Sequence, residues 1–455
     1  MEIIRAIIQP ILDAGSTVFV PLIMLILGMI VGLSFKDALN AGLLTGVAFC
    51  SVSLVMGYMG DVIGPVLAPF VENTGLELTY VDAGWTVASS ITMANPLFYF
   101  GIFPIAFGIN IIMLITKTTN TMNVDVWNYW GKAYTAALVS YFAGGKPWLG
   151  FIVAALQTVL ELKTADCMAE PFYEVTGIPG ITSTHCMFMK GAILYPLDQL
   201  FCKIPGLDRE FNIDTLKEKI GVFGETHIIG FIVGTVFALF AGFPVAKALT
   251  VGVQLGAALL LFPRVSKIFM EALEPISDAA STFLREKFAG RELYVGLDWP
   301  FIAGRPETWL VGILCVPLTL LCMMFLPGNH ILPINTINFT GAALCVLVYS
   351  NGNVLRMLLS SIVALPLYYF AANYAAEGLT YLATEAKFPS AILDNGGKLA
   401  LLGDDAPFWR AGWELLVSGK AVFGAIILVV YCAGFVYFYR EMMKKSAAII
   451  EKKRG

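Results

Sequence analysis

The sequence has few charged residues and no long polar stretch. Asp, Glu, Lys and Arg make up 14% of the 455 residues and 58% are hydrophobic, whereas ordinary soluble domains contain about 25% charged residues. This shortage excludes a soluble multidomain enzyme. Apolar runs recur from Val18 to Val430, which predicts an all-α polytopic membrane protein in a lipid bilayer. The formal net charge of -4 gives no sign of a nucleic-acid partner.

Sequence signatures of phosphate, metal and redox chemistry are also missing. The chain has no G-x-x-x-x-G-K-[ST] phosphate loop, so we do not expect it to hydrolyse ATP by itself. It has no H-E-x-x-H pattern and no C-x-x-C pair, and its eight cysteines are scattered through apolar runs. This distribution favours small buried side chains over a disulfide framework or a zinc site. We therefore expect no metal and no cofactor.

Hydropathy along the chain predicts about eleven transmembrane helices. The apolar runs cover residues 17–33, 41–59, 97–116, 134–142, 148–162, 228–243, 248–262, 309–326, 339–349, 357–375 and 422–439. The fourth and ninth runs are short and lie beside Gly144-Gly145 and Gly352. Short runs next to glycine are typical of broken or re-entrant helices, which are tolerated at membrane depth only inside protein or along a wet cavity.

Basic residues predict the orientation, since Lys and Arg remain on the cytoplasmic side during insertion. If the basic tail from Arg440 to Arg454 is cytoplasmic, eleven spans place most Lys and Arg inside as well. The opposite orientation reverses this ratio. We therefore predict an external N-terminus and a cytoplasmic C-terminus.

Short patterns recur in the same order in the two halves of the chain. Ala38-Leu39 returns as Ala248-Leu249, and Tyr80-Val81 with Trp85 returns as Tyr294-Val295 with Trp299. Each copy holds five spans, an odd number, so the second copy must be inverted, an arrangement typical of carriers with a midplane substrate site. The predicted division is a first five-helix repeat in 1–165, a cytoplasmic connecting segment in 166–225, an inverted second repeat in 226–378, and an external loop, last helix and basic tail in 379–455.

Polar residues interrupt the apolar pattern at matching places in the two halves. The first stretch contains Asp82, Trp85, Ser89 and Ser90, and the second contains Asp298 before a Trp-Pro pair. Carboxylates that accept hydrogen bonds from hydroxyls, an aromatic face and a broken helix are what a polyol or sugar site needs. The alternative is that the aspartates cap helices and the tryptophans form an interfacial belt.

Four further residues are candidates for the same site. His185 lies in the central segment and could take a proton from a substrate hydroxyl near neutral pH. Glu225 lies at the entry to the sixth span, and Asn329 and His330 lie in an irregular stretch of the second half. The alternatives are a solvated loop histidine and a carboxylate favoured by a helix dipole. Asp298 and His185 are the catalytic candidates, and the others are candidates for substrate binding.

Five stretches together resemble one known family. They are Val81-Asp82-Ala83-Gly84-Trp85, Asn123-Val124-Asp125-Val126-Trp127-Asn128, Phe223-Gly224-Glu225, Gly296-Leu297-Asp298, and Pro327-Gly328-Asn329 followed by Leu332-Pro333. Over nearly its whole length the chain resembles the membrane (IIC) permease component of the bacterial phosphoenolpyruvate-dependent sugar phosphotransferase system. The likeness is to the galactitol type within the ascorbate–galactitol superfamily.

The resemblance implies a homodimeric carrier in the bacterial cytoplasmic (inner) membrane. It implies a core domain that moves, elevator-like, against a dimer-forming scaffold and hands galactitol or a similar polyol or sugar to a cytoplasmic IIB protein for phosphorylation. Asp298 matches the position of a substrate-contacting aspartate in the related ascorbate carriers, and His185 falls near one of their site histidines. No soluble IIA or IIB domain is recognisable, so both phosphocarriers are expected to be separate proteins.

Two function hypotheses follow. The first is a group-translocating permease, whose substrate is phosphorylated during uptake. The second is an ion-coupled secondary transporter that releases a small polar solute unchanged. Topology alone favours the second, because such carriers are common, and the family resemblance favours the first.

Overall fold

The computed structural model describes residues 16–72, 78–125, 129–207, 211, 222, 225–287, 293–333, 340–388, 390–394 and 396–454. Residues 126–128 and 223–224, which carry part of the family resemblance, lie outside these ranges. The described chain is largely helical, in agreement with the predicted all-α class, and it also contains six short strands.

The elements of the first half are α1 Ser16–Ile30, α2 Phe35–Glu72, β1 Tyr80–Asp82, α3 Gly84–Met93, α4 Pro96–Ile115, β2 Thr121–Asn123, α5 Tyr129–Phe142, α6 Pro147–Thr176, β3 Ile181–Ser183 and α7 Gly191–Phe201. Those of the second half are α8 Thr226–Phe240, α9 Val245–Lys287, β4 Tyr294–Leu297, α10 Pro306–Phe325, β5 Ile331–Leu332, α11 Thr340–Ser350, α12 Val354–Glu385, α13 Ala391–Asp394, β6 Lys398–Ala400, α14 Pro407–Val417 and α15 Ala421–Arg454. Short 3-10 helices cover Cys186–Lys190 and Trp299–Ile302.

Proline and glycine mark many helix ends. Helices α4, α6, α10 and α14 each begin with proline, which lacks the N–H that the first helical turn leaves unpaired. The short helices α5 and α11 end just before Gly144-Gly145 and before Asn351-Gly352, all four with positive φ. These are the breaks predicted from the sequence. Nearly all of α5 is buried, which fits a broken helix that is enclosed by protein.

Five described helices are long and apolar enough to cross a membrane: Pro96–Ile115, Pro147–Thr176, Pro306–Phe325, Val354–Glu385 and Ala421–Lys453. Three shorter apolar helices, at His227–Phe240, Val245–Ala258 and Gly341–Ser350, add to them. These helices agree with a multi-pass membrane protein. The predicted number of eleven spans stays a prediction.

Helices α1, α2, α8 and α9 form a four-helix unit. The longest helices of this unit, α2 with 38 residues and α9 with 43, pack against each other, and each also packs against the helix that precedes it. At about 1.5 Å per residue, each exceeds the roughly 30 Å thickness of a bilayer core. The unit touches the remaining helices mainly through α10, which packs on α8 and α9.

The six strands form two parallel sheets, ordered β5-β1-β6 and β2-β4-β3. In the first sheet Tyr80 pairs with Ile331 and with Lys398, and in the second Val295 pairs with Met122 and Ile181. Each central strand therefore comes from one half of the chain, and both of its neighbours come from the other half. Element bounds also recur at an offset of 210 residues: α9 and α10 begin at Val245 and Pro306, as α2 and α4 begin at Phe35 and Pro96, and α8 ends at Phe240, as α1 ends at Ile30.

Two segments that the sequence assigns to loops contribute to the interior. In the predicted connecting segment, 166–225, helix α6 continues to Thr176 and β3 joins a sheet. In the predicted external loop at the start of 379–455, β6 pairs with β1 and is followed by the buried helix α14. Hydropathy does not reveal these elements because three-residue strands and polar buried helices lack a long apolar run.

Candidate substrate site

The candidate site lies where β3 and β4 end. Carboxyl ends of neighbouring parallel strands lie at the same sheet edge, and here they bring Asp298, after β4, close to His185, after β3. Side-chain and backbone groups fix this edge: the Ser183 hydroxyl donates to the Leu297 carbonyl over 3.0 Å, and the Thr184 N–H donates to the same oxygen over 3.3 Å.

Gly296 allows the three strands to approach each other here. A Cβ at this position would lie 2.4 Å from Thr184 Cγ2 and 3.0 Å from Thr121 Cγ2. Real Cβ atoms do not tolerate the shorter distance, so a larger residue would push β3 and β4 apart. The spacing between His185 and Asp298 therefore depends on a glycine two residues before the aspartate.

His185 is buried, and its two ring nitrogens have different environments. Nδ1 accepts a hydrogen bond from the Met187 N–H over 3.2 Å, so the proton of the neutral ring lies on Nε2. Nε2 is 3.9 Å from Asp298 Oδ1 and 3.9 Å from Asp405 Oδ2. Burial lowers the pKa of His185 to about 4, so the ring is neutral near pH 7. Both distances are too long for a direct hydrogen bond, and a hydroxyl group between these atoms would contact both.

Asp405 is the main site residue that the sequence analysis missed. It lies in the turn between β6 and α14, and its Oδ1 is 3.7 Å from Lys190 Nζ, whose side chain is buried and lies over the Tyr368 ring. The carboxylates of Asp298 and Asp405 remain 16% and 15% exposed. The available signal was the charged pair Asp404-Asp405 between apolar residues, because ionisable groups inside a membrane protein mark functional sites.

A network of buried polar side chains lies behind Asp405. Arg410 pairs with Asp404, and its Nε donates to Thr135 over 2.7 Å. The Thr135 hydroxyl donates to Gln157 over 2.6 Å, and Gln157 donates to Glu161 over 2.8 Å. Glu161 pairs with Lys132 at 2.5 Å. Lys132 and Lys190 are both buried.

Asp82 lies at the carboxyl edge of the other sheet and is 1% exposed. Its Oδ1 accepts hydrogen bonds from the Gly84 N–H over 3.2 Å and from the Leu402 N–H over 3.1 Å. The hydrogen bond from the Leu402 N–H fixes the backbone three residues before Asp405. On α3, Trp85 is half-buried, Ser89 is buried and Ser90 is exposed.

The remaining predicted site residues lie elsewhere in the fold. Asn329 accepts from the Ile331 N–H over 3.0 Å, and the exposed His330 packs its ring 5.3 Å from Tyr80. Both are at the amino edge of the β5-β1-β6 sheet. Glu225 precedes α8 in the four-helix unit, where its carbonyl accepts from the first turn of the helix. Among the predicted residues, the structure thus brings together His185 and Asp298.

Among the described residues, three side chains of the site could together hold a metal ion. Ligand atoms of His185, Cys186 and Asp405 lie within 4.8 Å of one another. Positive charges on Lys190, Lys132 and Arg410 act on His185. Burial raises the pKa of the Cys186 thiol, so the thiol stays protonated. Metal ions need deprotonated thiolates and an environment without competing cations. The arrangement therefore suits a neutral hydroxylated ligand better than a metal.

Comparison with known proteins agrees with this chemistry. Residues 10–391 match the family model described as the sugar-specific permease component of the PTS system. The chain is 34% identical over 433 residues to a galactitol-specific EIIC component of the PTS system from Escherichia coli K12, covering 92% of this chain and 93% of that protein. It is 32% identical over 434 residues to a putative permease IIC component of the same organism, covering 95% of this chain and 98% of that protein. The chain thus belongs to the family of sugar-specific permease (EIIC) components of the phosphotransferase system, galactitol type.

Proposed function

We propose that this permease binds galactitol or a similar neutral polyol between His185, Asp298, Asp405 and Lys190, which we call the acceptor site. The observation that carries the proposal is that His185 Nε2 lies 3.9 Å from a carboxylate oxygen of Asp298 and 3.9 Å from one of Asp405. Neighbouring hydroxyls of a polyol can donate to the two carboxylates and accept from Nε2–H and the ammonium group. The galactitol specificity of the relative named above supports this substrate class.

Phosphorylation at this site would divide the work between the carboxylate and the imidazole. Because Nδ1 already accepts the Met187 N–H, Nε2 carries a proton and His185 acts as a hydrogen-bond donor. This assignment replaces the general-base role inferred from the sequence. The oxygen of the reacting substrate hydroxyl forms a bond to phosphorus, and Asp298 takes the proton of this hydroxyl. At the same time, the bond between phosphorus and the cytoplasmic IIB protein breaks. IIA then restores the phosphoryl group on IIB.

The exchange of strands between the halves supports a design of two inverted repeats. Recurrence of α1, α2 and α4 as α8, α9 and α10 also supports it. In this proposal, the four-helix unit is the scaffold of a homodimer, and the part that contains the two sheets moves past it, elevator-like. The N-terminus is external and the C-terminus is cytoplasmic.

Labelling from one side of the membrane tests the orientation. A cysteine introduced in the 444–454 tail should react only from the cytoplasm, and one near Glu72 only from outside, after the exposed Cys50 and Cys432 have been replaced. The reverse pattern would refute the proposed orientation.

Uptake in membrane vesicles tests the function. Vesicles that contain phosphoenolpyruvate and the soluble phosphocarriers should accumulate galactitol phosphate, and ATP alone should not support this reaction. Accumulation of free galactitol driven by a proton or sodium gradient would instead support an ion-coupled transporter, an alternative that family membership does not favour.

A further inference from the structure

Arg410, on α14, joins helix α5 to the turn before α14, next to the acceptor site. Its guanidinium is 1% exposed. Nη2 donates to the Gly131 carbonyl over 2.8 Å, Nε donates to the Thr135 hydroxyl over 2.7 Å, and Nη1 pairs with Asp404. Helix α5 provides two of these acceptors, and the turn that carries Asp405 provides the third.

Asp404 connects this arginine to the acceptor site. Its Oδ1 accepts the Ala406 N–H over 3.0 Å, which closes the turn before α14. The same oxygen pairs with Arg410. The side chain and backbone of Asp404 are therefore both fixed, and they determine where the next residue, Asp405, directs its carboxylate.

We propose that Arg410 is a positioning residue that holds Asp405 against His185 and Lys190 and thereby sets the affinity for the polyol. The inference rests on the proposed function, since it assumes that Asp405 binds the substrate. Arg410 itself does not touch the substrate in this arrangement.

The geometry requires arginine and not only a positive charge. Three acceptors surround the guanidinium in different directions, and the planar fork of arginine can serve all of them at once. Lysine has a single nitrogen on a flexible stem and cannot do so.

Arg356 offers a matched control within the same chain. It also forms a buried pair with an aspartate: its Nε donates to Asp198 Oδ1 over 2.7 Å, and Nη2 pairs with Oδ2. This pair joins α12 to α7. Arg356→Lys therefore disturbs a similar buried pair outside the turn that carries Asp405.

The experiment compares Arg410→Lys with Arg356→Lys in the full-length protein. It measures thermal stability, the Kd for galactitol by calorimetry, and galactitol phosphorylation with soluble phosphocarriers between pH 5 and 8. Arg410→Lys should raise the Kd about tenfold, the usual effect of losing one well-placed charge-assisted hydrogen bond. Its pH profile should match wild type, since the charge that acts on His185 remains. Arg356→Lys should lower thermal stability about as much as Arg410→Lys does, but it should change the Kd less than about twofold.

Two results would overturn the proposal: a wild-type Kd in Arg410→Lys, or an equal rise in Kd in Arg356→Lys. If Arg410→Lys does not fold, Asp404→Asn takes its place, because it keeps the acceptor for Ala406 and weakens only the pair with Arg410. For Asp404→Asn, a rise in Kd that is smaller than tenfold supports the proposal, and a wild-type Kd refutes it. Wild-type protein that binds galactitol without phosphorylation would contradict the proposed function and leave the binding comparison valid.

Discussion

The two sheets have the same construction but end in different chemistry. At the carboxyl edge of the β5-β1-β6 sheet, Asp82 is 1% exposed and one of its oxygens accepts two backbone N–H groups. At the carboxyl edge of the β2-β4-β3 sheet, Asp298 is 16% exposed and faces His185 across 3.9 Å. One aspartate is used to hold the chain together, whereas the other remains accessible to a ligand.

The strand register explains the difference. The repeat that aligns Trp85 with Trp299 places Asp82 opposite Gly296 and Asp298 opposite Gly84. The two aspartates thus occupy different positions of equivalent strands. The two carboxylates also differ in exposure: Asp82 is almost fully buried, whereas Asp298, whose Oδ1 accepts the Trp299 N–H over 2.7 Å, stays partly exposed beside His185.

The largest expected effect that separates the two sheets is that of Asp298→Asn. The amide keeps the shape and one acceptor but cannot take up a proton, so the phosphorylation rate should fall by about 10²–10⁴, the usual contribution of a general base. The Kd for galactitol should rise only a few-fold. Phosphorylation kinetics and calorimetry measure both quantities. A wild-type phosphorylation rate would show that Asp298 only caps the 3-10 helix after it.

The next effect concerns Asp405, which links the edges of the two sheets. Asp405→Asn should raise the Kd for galactitol about tenfold, because a charged acceptor of a substrate hydroxyl is replaced by a neutral one. Asp394→Asn, in the short helix α13, serves as a surface control. Equal affinities of the two variants would remove Asp405 from the proposed site.

A smaller effect is expected for Asp82 and should appear in stability. Asp82→Ala leaves the Gly84 and Leu402 N–H groups without this acceptor, which should cost about 1–3 kcal/mol of unfolding free energy. Asp82→Asn, which keeps an acceptor oxygen, should lose less. The phosphorylation rate per folded molecule should stay within about twofold. Thermal unfolding in detergent measures the first effect, and a rate loss as large as that of Asp298→Asn would make the two edges functionally equivalent.

The pH dependence of stability gives the smallest effect. The pKa of His185 is about 4 in the folded protein, below its ordinary value of 6.5, so the unfolded chain binds more protons between these values. Stability should therefore fall as the pH is lowered from about 6.5 towards 4, by up to roughly 1.4 kcal/mol per pH unit. His185→Asn should flatten this part of the curve. An identical pH dependence in wild type and variant would mean that the imidazole is not buried as described.

Part of this picture follows from the sequence. Hydropathy predicts the helical class, Gly144-Gly145 and Gly352 predict the ends of α5 and α11, and the family resemblance singles out His185 and Asp298. The approach of Asp405 to His185 could not be predicted, because it depends on a three-residue strand that pairs with β1 across more than 300 residues. The sequence also does not show whether backbone N–H groups or substrate hydroxyls donate hydrogen bonds to a carboxylate such as that of Asp82.

The exchange of strands between the halves has a consequence for how the protein is made. Strand β1 is synthesised early, but its neighbours β5 and β6 begin only at Ile331 and Lys398. The first half therefore leaves the ribosome with a strand whose edges are both unpaired, and it must wait in the membrane for most of the chain. Closing such distant contacts is slow, so the early intermediate should depend on chaperones or the insertion machinery until β6 arrives.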